Sequence, residues 1–142
     1  MNQDETLQDR HLGMPQRIIQ DGTKINLKFG DVLIPAMLNQ TETAKALLEK
    51  LPLTISVGGT PGIDFCGRMP FSLPYKEDQV HHGWLNGDID YNPGGGWFAV
   101  LYGGQDESDG YSDQVTIGAL TCRLEEIEQL QGSYDLAVER AE

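Results

Sequence analysis

The stretch from Gly83 to Gly104 constrains what this chain can fold into more than any other. It reads as strand, turn, strand. Gly87 to Tyr91 is the first strand, with Ile89 on one face and Asp88 and Asp90 on the other, because successive side chains of an extended chain point to opposite sides. Asn92-Pro93-Gly94-Gly95-Gly96 is dense in turn-forming residues. Trp97 to Tyr102 is an unbroken apolar and aromatic run, closed by Gly103-Gly104. A run so short, bounded by glycines and rich in aromatics, suits a strand covered on both faces better than a helix. The core is expected to form around it.

The rest of the chain supplies partners for that strand. Lys24 to Phe29 alternates, with Ile25, Leu27 and Phe29 on one side. Gly30-Asp31 suits a two-residue hairpin turn of the II′ kind, and Val32 to Leu38 returns. Pro35 lacks a ladder donor, which predicts an edge strand or a bulge there. A helix follows, capped by Asn39 or Thr41, with Asn39 and Glu42 at capping-box spacing and Pro52 as its stop. Its stripe of Ala44, Leu47, Leu48 and Leu51 must pack on the sheet, because so short a helix is marginal alone. Leu53 to Val57, Ile63 to Met69 and Val115 to Leu120 read as strands. Pro70 to His82 reads as a surface crossing and Gln105 to Asp113 as an acidic loop. Arg123 to Leu130 is a second short helix burying Leu124, Ile127 and Leu130. Tyr134 to Glu139 alternates and can close a barrel with an early strand. Residues 1–22 read as a mobile N-terminal tail with a short edge strand near Ile18, and residues 23–142 as one domain.

Seventeen glycines and seven prolines point to a turn-rich, mostly β protein. The net charge of −12 removes long-range attraction to phosphate, so neither nucleic acid nor an anionic membrane surface is an expected partner. No apolar run reaches the roughly 18 residues of a membrane-spanning helix. Met1 to Arg10 is polar and has no apolar leader core, so a cytoplasmic location is expected. Cys66 and Cys122 are too few for a disulfide framework and read as buried thiols, with a single bridge left open.

No cofactor, metal site or catalytic residue is expected. Gly94-x-Gly96-x-x-Ala99 leads into a strand-like run, so no helix N-terminus would face a pyrophosphate. Asp88-x-Asp90-x-Asn92 begins like a calcium loop, but Pro93 and Ala99 stand where glycine and glutamate are needed. Asp88 and Asp90 read instead as a solvated edge, and Asp106 to Asp113 as a solvated loop. His81 and His82 point opposite ways on an extended chain. The candidates for lining a ligand groove are Arg68, His82, Trp84, Tyr91, Trp97 and Phe98: aromatics with polar tips, and an arginine in an apolar segment.

The order of these pieces resembles the small bacterial and archaeal cyclophilin-like domains. The resemblance lies in the hairpin Ile25 to Leu38, the Thr-Ala helix Asn39 to Leu48 leading into Leu51-Pro52-Leu53, Gly87-Asp88-Ile89-Asp90-Tyr91 before Pro93-Gly94, and Ser108-Asp109 leading to Val115-Thr116-Ile117-Gly118. It implies a closed, mostly antiparallel β-barrel with two short helices. Prolyl isomerases of that fold carry a Phe-His-Arg segment whose arginine polarises the prolyl amide, and a strand with glutamine and paired phenylalanines. Here Arg68 follows Cys66-Gly67, and Gly95-Gly96-Trp97-Phe98 stands in place of that strand. The expectation is therefore a binding module for a peptide or small apolar ligand. A weak prolyl isomerase and a scaffolding or oligomerising domain are the alternatives.

Overall fold

In the computed structural model, which describes residues 13–111 and 113–141, alternating strands wrap into a closed barrel. The strands are β1 (Thr23–Phe29), β2 (Val32–Leu38), β3 (Leu53–Thr60), β4 (Asp64–Arg68), β5 (Asp88–Asn92), β6 (Trp97–Leu101), β7 (Val115–Leu120) and β8 (Ser133–Arg140). Round the barrel their order is β1-β2-β7-β5-β6-β4-β3-β8, and every pairing is antiparallel. Two short helices, α1 (Glu42–Leu48) and α2 (Glu125–Glu128), accompany it. This is the mostly β architecture that the alternation implied.

The inward set is the apolar half of each alternation. Ile25, Leu27 and Phe29 of β1 meet Ile34, Ala36 and Leu38 of β2, with Ile89, Tyr91, Phe98, Val100, Leu136 and Val138 completing the interior. Phe65 anchors an aromatic cluster, its ring centroid 5.1 Å from Phe29 and 5.9 Å from Tyr102. Gly67 is needed where β3 and β4 cross closely, because a Cβ there would collide with the Ser56 carbonyl. Trp97 to Leu101 is the expected central strand, hydrogen-bonded to β4 on one side and β5 on the other.

Several local expectations are corrected. Pro35 marks neither an edge nor a bulge: it pairs with Asn26 of β1, and its other side faces the end of the β2–β7 ladder, where its carbonyl accepts from Thr121 N at 3.1 Å. The missing N–H thus falls where that ladder stops. The cap of α1 is Thr41, whose hydroxyl accepts from Ala44 N, while Asn39 holds Thr41 in place rather than forming a box with Glu42. Leu48 and Leu51 are only half-buried, whereas Thr43 is fully buried and donates to the Pro74 carbonyl. The second helix shrinks to Glu125–Glu128, with Leu130 outside it. The acidic loop contains a 3-10 turn, Gln105–Gly110, pinned by the buried Ser108.

Of the expected tail, residues 1–12 lie outside the described residues. Residues 13–22 form no strand near Ile18 but lie along the barrel. Gly13 accepts from Leu124 N, Pro15 is buried against Gly87, and Arg17 reaches Asp88.

Candidate functional site

The same alternation that sends Phe65, Phe98 and Tyr91 inward turns a second set of side chains out of the barrel. These are Asp64 and Cys66 on β4, Trp97, Ala99 and Leu101 on β6, and Asp88 and Asp90 on β5. The register aligns Cys66, Ala99 and Asp90 in one row and Asp64, Leu101 and Asp88 in the next. Ala99 sits at the centre with a single methyl, so the outer surface dips there. Trp97 rises at one end. Trp84 and Tyr111, their rings 5.3 Å apart, form a wall with Ile63, Glu107 and Gln114. The recess so enclosed has a volume of about 400 Å³.

Two aspartates on one face of β5 have opposite surroundings. Asp88 is fully buried and saturated: it accepts from Arg17 Nε at 2.7 Å, Arg17 Nη2 at 3.1 Å and Leu85 N at 3.0 Å. Asp90 is 1% exposed, lines the recess, and neither of its carboxylate oxygens has a hydrogen-bond partner among the described residues. Burial, and next the charge of Asp88, push its pKa up to about 8. The Thr116 hydroxyl and the more distant Arg17 pull the other way without offsetting this. The Thr116 hydroxyl also has a second neighbour. His81 Nδ1 is 3.2 Å from the His82 carbonyl, which can only accept, so in the neutral ring Nε2, at 2.8 Å from Thr116 Oγ1, accepts a hydrogen bond from the Thr116 hydroxyl. Across β6, Asp64 also has one buried oxygen without a partner, and burial raises its pKa. Burial together with the neighbouring Asp64 pushes the Cys66 thiol up to about 11, which keeps it protonated and unreactive. Both cysteines are free.

The expectation of a solvated edge at Asp88 and Asp90 is overturned. β5 lies between β6 and β7, and both carboxylates are covered. The groove candidates divide. Trp84 and Trp97 line the recess. Tyr91 and Phe98 are in the barrel interior instead, because they share the inward parity of Ile89 and Val100, and the Tyr91 hydroxyl accepts from Leu73 N. Arg68 stands outside the lining, 4.8 Å from the Trp97 ring and donating to the Gly95 carbonyl at 3.0 Å, so it braces Trp97. His82 lines a separate polar recess of about 380 Å³ shared with Arg17, His81, Trp84 and Asp109. Asp90, Asp64 and Ala99 were not singled out from sequence for the groove. The one signal available was a pair of acids alternating with the apolar Ile89 and Tyr91.

Among the described residues, no three histidine, cysteine or acidic side chains converge as a metal site would require. No helix among them is long and apolar enough to cross a membrane.

Comparison with known proteins bears on the fold. No curated protein matches the chain. The solution structure of the hypothetical protein AF2241 from Archaeoglobus fulgidus superposes with a TM-score of 0.69 at 17% identity, covering 84% of this chain and 95% of the archaeal one. At that identity the likeness speaks for the fold. The model of the cyclophilin-like family matches residues 27–139, from β1 into β8. With that match reaching every strand of the barrel, the chain belongs to the cyclophilin-like family.

Proposed function

We propose that this protein is a non-catalytic binding module that holds a peptide or small apolar ligand in the groove over Ala99. The observation that carries this reading is the recess itself, with its small floor, aromatic walls and volume of about 400 Å³. That volume is within the usual range for ligand sites, on the order of 300–1,000 Å³. Catalysis of prolyl isomerisation is disfavoured on chemical grounds. A site must lower a barrier of about 18–20 kcal/mol by placing a donor or cation at the prolyl nitrogen. Among the described residues lining the groove there is no arginine, lysine or histidine, and Arg68 is engaged with Trp97 and Gly95. The chain's acidity argues against nucleic acid and anionic membranes as partners.

A thermal-shift screen of aromatic and proline-containing peptides should give ligand-dependent stabilisation that Ala99→Leu abolishes by filling the floor. A protease-coupled assay on an Ala-Pro peptide should run at the uncatalysed rate. Isomerisation that vanishes in Arg68→Ala would make the protein an enzyme. Self-association on sizing with no stabilisation by any ligand would make it a scaffold.

A further inference from the structure

Among the described residues, the groove is lined by three carboxyl groups and by no cationic side chain. Asp90 is buried at its base with both oxygens unpartnered among the described residues, and Asp64 has an unpartnered buried oxygen across the Ala99 strand. Such groups cost stability until a donor arrives. The two groups that pull the Asp90 pKa down have other partners: Arg17 donates to Asp88, and the Thr116 hydroxyl is 2.8 Å from His81 Nε2. Glu107 adds a further acid to the lining. The walls include the rings of Trp84, Trp97 and Tyr111, and aromatic rings attract cations. Arg68 already lies over the Trp97 ring in that manner.

We infer that the groove selects an organic cation, an ammonium group carried on an apolar or aromatic body, with Asp90 as the anchor for its N–H donors; this rests on the binding reading above. An anionic ligand would face three carboxyl groups. A neutral apolar ligand would fill the space but leave Asp90 without a partner. The single methyl of Ala99 leaves room for a charged head to descend to the carboxylate, while the aromatic walls take the body. Because burial and Asp88 hold the Asp90 proton up to about pH 8 in the empty groove, an arriving ammonium displaces it. The groups that bear on this proton are Asp88, Arg17 and Thr116, with His81 beside Thr116, and Asp64 and Glu107 are the other acids of the lining.

The test uses one body with three heads: 2-phenylethylamine, 2-phenylethanol and phenylacetate, titrated calorimetrically into the full chain at pH 7. The amine is expected to bind about tenfold tighter than the alcohol, with phenylacetate weakest. Asp90→Asn should remove that preference and bring the amine level with the alcohol. Equal or tighter binding of the alcohol or phenylacetate, or an amine preference unchanged in Asp90→Asn, overturns the inference. The binding reading survives that result if Ala99→Leu still abolishes binding. If no probe binds, both fall. Should Asp90→Asn not fold, proton uptake and release in buffers of different ionisation enthalpy decides: amine binding with release of about one proton supports the inference, and binding without release overturns it.

Discussion

Asp88 and Asp90 are the same amino acid, two positions apart, on the same face of one strand, yet their surroundings are opposite. Arg17 and the Leu85 amide donate to the oxygens of the first, while the second has no such partner among the described residues and is kept as an acid by burial and by its neighbour's charge. The folded pKa of Asp90, about 8, lies above the ordinary value of 3.8 that it regains on unfolding. The folded state therefore holds the proton more tightly. Its contribution is complete below about pH 4, is lost steadily as pH rises, and levels off above about pH 8. Urea midpoints measured from pH 5 to 9 should fall across that window. Asp90→Asn should flatten the decline and raise stability at pH 8 by about 1–3 kcal/mol. A midpoint that rises with pH, or a slope that survives the substitution, would show that another group titrates.

At the scale of elements, α1 illustrates how packing outranks intrinsic preference. Seven residues of helix persist because Ala44 and Leu47 are buried and Thr41 caps the first turn. Leu47→Ala should cost about 2–5 kcal/mol and Thr41→Ala about 1 kcal/mol, with Leu48→Ala, at a half-buried position, costing less than Leu47→Ala. Chemical denaturation of the variants ranks them. The strands were legible for the same reason as the helix stripe. Each has one face that must leave water, and alternation such as Ile25, Leu27, Phe29 records it. Parity also held information about Tyr91, since it must follow Ile89 to the inside. What no local pattern records is register. The groove depends on Cys66, Ala99 and Asp90 meeting across three strands, and that alignment is set by ladders between segments distant in sequence. Depth was equally hidden: Asp88 and Asp90 look solvated until β6 and β7 flank their strand and the segment carrying Arg17 crosses over Asp88.

For the molecule as a whole, that segment acts as a strap. Arg17 links residues 13–22 to the middle of the barrel, 71 positions away, through a bidentate bond to a fully buried carboxylate. Arg17→Ala should destabilise by about 1.5–3 kcal/mol, because it takes two of three hydrogen-bond donors from the buried Asp88 carboxyl group. Removing the exposed Lys28–Glu139 pair should cost at most about 1 kcal/mol. Thermal melts of the two variants in low and high salt separate the cases, since only the exposed pair should be salt-sensitive. The strand order has a consequence in time. β8 inserts between β1 and β3, so the first and third strands wait for residues 133–140 before either is fully paired. During synthesis a chain that has emerged as far as α2 still carries a gap one strand wide, with both sides of the gap free to recruit a strand from another chain. The interval in which β8 is still inside the ribosome is therefore when this protein is most open to misassembly, and a holdase that binds extended segments would find its site there.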